Sequence, residues 1–87
     1  MDISARHTTA ILNKLYSVYP LMLDSQGYAE LVEEVGDDLT LDAHLLYLYE
    51  KRLIETDMKY DPYTLSWSVS AHLTRINSNG IDLIASA

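Results

Sequence analysis

The sequence predicts a small α+β domain that is mostly helical, with three helices, a β-hairpin and a short C-terminal helix in that order. Apolar residues recur at helical spacing through the first half of the chain, and the period changes from 3.6 to 2 after Leu53. Most changes of pattern coincide with a residue that can cap or end an element. A chain of 87 residues is long enough for one core, so we expect a single domain over residues 1–87.

The first two helices are predicted from their apolar stripes and their stop signals. The first covers about residues 4–18, because Pro20 prevents its continuation. The second begins at Asp24 or Ser25, either of which can cap it, and Gly36 is a natural C-terminal stop. The stripes consist of Ile11, Leu15 and Val18 in the first helix, and of Tyr28, Leu31, Val32 and Val35 in the second.

The third helix is predicted to begin near Asp38 or Thr40, where the helix dipole favours acids, and to end near Arg52. Alternation over residues 54–60 and 65–69 then predicts two strands, joined by a turn at Pro62. The second strand is expected to continue through residues 71–73. Asn77 or Ser78 can cap the last helix. The expected core residues are Ile11, Leu15, Leu31, Leu45, Leu48, Leu65, Trp67, Val69 and Leu83.

Two motifs at these positions resemble known families. His44-Leu45, Leu48 and Leu53-Ile54 are similar to the pattern of winged-helix repressors, including the arsenic-repressor type. The tail, with Arg75-Ile76-Asn77, Gly80 and Leu83-Ile84, resembles a family of small bacterial and prophage winged-helix proteins of unknown function. The resemblance implies a winged helix-turn-helix fold in which the hairpin is the wing, and it suggests a phage or mobile-element setting. The chain departs from the patterns at Arg52, where a glycine is usual, and at Asn77, where threonine is common.

The negative charge is concentrated in one third of the chain. The net charge is −7, and residues 24–57 contain ten acids and two bases, a net of −8. On the third helix, the positions predicted to face outward offer carboxylates and a leucine where a DNA reader usually has basic or amide side chains. Each carboxylate beside a phosphate is repelled, which disfavours DNA binding by this face.

The sequence therefore predicts a non-enzymatic module that binds a protein partner through helices two and three. Aromatic and apolar anchors rimmed by acids suit a partner with a basic surface, and the same face is compatible with a homodimer. A phage inhibitor that imitates DNA is a more specific version of this hypothesis. The predicted protein-binding residues are Glu30, Glu33, Glu34, Asp42, Ala43, Leu46, Tyr47, Tyr49 and Glu50.

The alternative hypothesis is a dimeric DNA-binding transcriptional regulator that uses the wing and the N-terminus. Few phosphate contacts are available there, so such binding would be weak at physiological salt. Its predicted DNA-binding residues are Arg6, Lys14, Lys59, His72 and Arg75.

Catalysis, cofactors and metals are not predicted. His7, His44 and His72 fall on three different elements without zinc-site spacing, and His44 is expected at the edge of the helix packing. Asp37, Asp38 and Asp42 lack the ligand order of a calcium loop. The chain has no cysteine, no signal-peptide layout and no apolar run of membrane-spanning length, so we expect a cytoplasmic protein.

Overall fold

The computed structural model describes residues 2–86 and confirms the predicted α+β class, its mostly helical content and the order of its elements. The helices are α1 (Ala5–Val18), α2 (Ser25–Val35), α3 (Asp38–Glu50) and α4 (Ser78–Ala85). The strands are β1 (Ile54–Glu55), β2 (Met58–Asp61), β3 (Ser66–Val69) and β4 (Arg75–Ile76). Helices followed by a small antiparallel hairpin are compatible with a winged-helix-like fold. No helix within residues 2–86 combines the length and apolar character needed to cross a membrane.

The first two helices begin at the capping residues that the sequence supplies. The hydroxyl of Ser4 accepts a hydrogen bond from the backbone N–H of His7, and the carboxylate of Asp24 accepts one from Gly27 at 2.6 Å. α2 ends at Gly36, whose φ of 114° favours glycine. The predicted starts of both helices and the predicted stop of α2 are confirmed to within one residue.

The third helix ends earlier than predicted, at Glu50 rather than near Arg52. The cause is the backbone of Arg52, which adopts a φ of 63° and therefore leaves the helical conformation. Its carbonyl oxygen accepts hydrogen bonds from the side-chain amides of Asn77 at 3.0 Å and Asn79 at 3.2 Å. The turn after α3 is thus held by residues at the start of α4.

The strand region differs from the prediction in its pairing. The predicted first strand is divided into β1, which pairs with β4, and β2, which pairs with β3. Ile54 lies opposite Ile76 in the first pair, and both side chains are fully buried. The predicted continuation of the second strand is wrong, because Ala71–Leu73 form a 3₁₀ turn between β3 and β4.

The core lies between the helices and the β1–β4 pair. Five of the predicted core residues are buried, namely Ile11, Leu15, Leu31, Leu45 and Leu48, and Val69 is half-buried against them. Three predictions are wrong, since Leu65, Trp67 and Leu83 are 75%, 39% and 51% exposed. Leu65 and Trp67 lie in the half of the hairpin nearer the turn, past the Met58–Val69 pair that packs against the core. Leu83 faces an open pocket beside α4.

His44 is fully buried, so its predicted place at the edge of the helix packing is wrong. Its Nε2 accepts a hydrogen bond from the backbone N–H of Ser4 at 3.0 Å, which leaves Nδ1 to donate to the carbonyl of Thr40 at 2.7 Å. Both ring nitrogens are therefore satisfied in the neutral form, and His44 joins the start of α1 to α3. The ring of His7 packs edge-on against it, with centroids 5.2 Å apart.

Candidate functional site

A groove with apolar walls lies between the outward face of α3 and the hairpin. It encloses about 440 Å³ and is open along one side. Leu39, Ala43 and Leu46 form one wall, while Leu65 and Trp67 of the hairpin form the other. Leu39 is 65% exposed. Covering this apolar side chain would be favourable, because removing apolar surface from water lowers the free energy. The groove therefore offers an apolar surface without a covering partner among the described residues.

The hairpin forms the second wall because only its base is anchored. Met58 and Val69 are directly paired and pack against the core, whereas the next pair on the same face, Tyr60 and Trp67, stands clear of it. The two aromatic rings contact each other with centroids 5.4 Å apart, which stabilises the exposed half of the hairpin. Leu65 is the last residue of the turn and has a φ of 55°, a strained conformation for a leucine.

Two carboxylates, those of Asp38 and Asp42, line the same groove. Asp42 is half-buried, and its Oδ1 accepts a hydrogen bond from the hydroxyl of Tyr28 at 2.6 Å. Burial raises the pKa of Asp42 against the opposing effect of that hydrogen bond, and Asp38 raises it further. The pKa of Tyr28 is also raised, by burial and then by Asp42, so the proton of the pair stays on the tyrosine. The groove thus contains a partly desolvated negative charge.

The structure divides the predicted protein-binding residues among several surfaces. Asp42, Ala43 and Leu46 share the groove, but Tyr47 lines a pocket on the α1 and α4 side. Tyr49 and Glu50 lie beside the turn at Arg52. On α2, three predicted residues are exposed and distinct from the groove, namely Glu30, Glu33 and Glu34.

The residues predicted for DNA binding lie on several elements and are partly engaged within the chain. Lys14 of α1 forms an ion pair with Glu30, which belongs to the predicted protein-binding set. Arg75 is half-buried, and its guanidinium donates to the carbonyl of Ile76 at 3.1 Å. Arg6, Lys59 and His72 are exposed, on α1, on β2 and in the 3₁₀ turn.

Comparison of the chain with protein-family models, curated proteins and solved structures finds no match.

Sequence reasoning missed five residues that line the groove, namely Asp38, Leu39, Leu65, Ser66 and Trp67, and the three apolar ones show why. Leu39 precedes Ala43 by four residues and Leu46 by seven, so extending the outward face by one turn would have included it. Trp67 and Leu65 were expected in the core because strand alternation shows which face is apolar but not how far the helices cover it.

The described residues contain no cluster that suits a metal ion. In residues 2–86, no three His, Cys, Asp or Glu side chains lie together in such an arrangement. His7 and His44 do contact each other, but the hydrogen bonds of His44 occupy both of its ring nitrogens.

Proposed function

We propose that this chain is a winged-helix interaction module without catalytic activity, which binds a protein partner in the groove between α3 and the hairpin. The observation that carries the proposal is the combination of exposed apolar walls with the carboxylates of Asp38 and Asp42. Protein interfaces use such apolar and aromatic anchors for affinity and charged rims for orientation. The partner segment that fits presents apolar side chains flanked by Lys or Arg.

In this proposal the acidic residues of α2 do not contact the partner but attract it toward the groove through their charge. Glu33 and Glu34 are exposed and add to the negative potential on the chain segment that includes α3. Such a field raises the encounter rate with a basic partner and weakens as salt is added. The phage or mobile-element setting rests on the resemblance of the tail, whereas an inhibitor that imitates DNA would use the acidic residues of α2 and α3 in place of a row of phosphates.

The proposal is tested by affinity capture from a bacterial lysate with two matched variants. Leu39→Arg places a positive charge in the groove, whereas Leu21→Arg makes the same change at a leucine of similar exposure outside it. We expect a protein captured by the unmodified chain to be lost with Leu39→Arg and kept with Leu21→Arg. Capture that survives Leu39→Arg would show that another surface is used.

The DNA alternative is tested on the same preparation by fluorescence anisotropy with labelled duplex DNA at low and physiological salt. We expect weak binding at both, because Lys14 and Arg75 are engaged within the chain. Tight binding that weakens steeply with salt, and that is lost when Lys59 is changed to Gln, would contradict the proposed protein-binding function.

A further inference from the structure

A second pocket lies on the opposite side of α3 from the candidate groove. It encloses about 600 Å³ between α1, the end of α3 and α4, within the range of small-molecule sites. Its floor includes Leu12 and Leu48, which are almost fully buried, and Leu53 and Ile84 extend this apolar surface. The pocket shares none of its lining with the groove between α3 and the hairpin.

The apolar wall of this pocket remains open at Leu83. This residue is half exposed although it lies on the helix that closes the domain, and its side chain lines the pocket. Ile81 and Ile84 of the same helix pack against the core, so α4 is anchored while Leu83 stays available. A ligand with an apolar body would cover Leu83 without moving the helix.

The polar groups at this pocket favour an anion. Lys51 lines it, with its ammonium group 5.7 Å from the centroid of the Tyr47 ring, also a lining residue. Within residues 2–86 the one ion pair joins Lys14 and Glu30, so Lys51 forms no ion pair with a described carboxylate. The hydroxyl-bearing Thr9 and the amide of Asn13 line the same pocket and supply hydrogen-bonding groups.

From this arrangement we infer that the pocket binds a small amphiphilic anion, a carboxylate carrying an apolar chain. The carboxylate pairs with Lys51, and the apolar chain lies on Leu12, Leu53 and Leu83. The molecule has a net charge of −7, yet Lys51 places a positive charge beside this apolar surface. That charge favours an anionic amphiphile over a neutral or cationic one. This inference does not depend on the proposed protein-binding function.

The test is isothermal titration calorimetry with decanoate below its micelle concentration, compared with decylammonium. We expect saturable one-to-one binding of decanoate and none of decylammonium. Lys51→Gln should weaken decanoate binding by about two- to fivefold, the scale of one exposed charge pair, whereas Lys59→Gln on the hairpin should leave it unchanged. Leu83→Asp should abolish binding, and circular dichroism checks that this exposed substitution preserves the helical content.

Three results would overturn the inference. The first is the absence of saturable decanoate binding, and the second is equal binding by the Lys51→Gln variant or by decylammonium. The third comes from sedimentation of the protein alone. A dimer that Leu83→Asp converts to monomer would show that a second copy of the chain occupies the pocket.

Discussion

At the scale of single residues, Asp42 links the stability of the domain to its proposed function. Its carboxylate is half-buried, and its pKa is raised mainly by burial. Because the pKa of Asp42 is higher in the folded state, the protonated carboxyl stabilises the fold, fully so at a pH below its ordinary pKa of 3.8. This contribution to stability is lost as the pH rises through the folded-state pKa. At neutral pH the ionised Asp42 is therefore an unfavourable feature of the fold.

The first prediction concerns the variant Asp42→Asn. Its amide oxygen can still accept the hydrogen bond of Tyr28, while the charge is removed. We expect the free energy of unfolding at pH 7 to increase, by less than about 1 kcal/mol because the group is partly solvated. Chemical denaturation at pH 7 and at pH 3 measures the effect, which should shrink at the lower pH. Destabilisation at pH 7 would show that the carboxylate stabilises the fold.

Arg52 and Asn77 contact each other. These are the two positions at which the sequence departs from the winged-helix motifs that it resembles. Arg52 holds the left-handed φ of 63° that a glycine adopts without strain, and the amide of Asn77 donates to its carbonyl oxygen. A threonine at position 77 has a hydroxyl in place of that amide. The side chain of Asn77 therefore supports the strained turn at Arg52.

A second prediction follows from this contact. Arg52→Gly should raise the free energy of unfolding by about 0.5–1 kcal/mol, because it relieves the left-handed strain. Asn77→Thr keeps an oxygen that can cap α4 but loses the donor to the turn, so it should cost about 1 kcal/mol. A double-mutant cycle by urea denaturation measures both. An Asn77→Thr variant as stable as the unmodified chain would mean that the contact does not support the turn.

At the scale of elements, the helix ends that have a capping residue or a glycine stop were predictable, whereas the end of α3 and the extent to which the helices cover the hairpin were not. Asp24, Gly36 and Asn77 act locally, through a side-chain hydrogen bond or an allowed φ, so the sequence alone reveals them. The exposure of Trp67 depends on how far α3 extends along the hairpin, which no local pattern encodes. For the same reason, only part of the candidate site was predicted, and its hairpin wall was placed in the core.

The third prediction concerns the packing of α4 through Gly80. A β-carbon at this position would overlap the carbonyl oxygen of Leu53 and come within 2.6 Å of a side-chain carbon of Ile76. The backbone oxygen cannot move without disturbing β1, so Gly80→Ala should destabilise the fold by roughly 2 kcal/mol or more. Thermal unfolding measures this loss. Asp82→Ala, at an exposed position of α4, is the control and should change stability by less than about 0.5 kcal/mol. An equal effect of both changes would contradict this role of Gly80.

At the scale of the whole molecule, one wall of the candidate groove lies on the most acidic segment of the chain. The described part of the chain measures 40 × 25 × 23 Å, and Tyr63 in the hairpin turn is almost fully exposed. The net charge of −8 in residues 24–57 lies on the segment that supplies α3, one wall of the groove. A positively charged segment is therefore attracted toward the same helix that offers the apolar contacts.

Trp67 makes the central claim directly measurable, because it is the only tryptophan and lines the groove. The measurement is a fluorescence titration with a synthetic amphipathic helix that has leucines on one face and lysines on the other. We expect a saturable blue shift that weakens with added salt. The apparent affinity should fall about tenfold in Leu39→Arg, which is the scale of losing a buried apolar anchor. It should change little in Leu21→Arg, the control, which alters the net charge by the same amount. An unchanged Trp67 spectrum on binding, or an equal loss in both variants, would contradict the claim that this groove is the partner site.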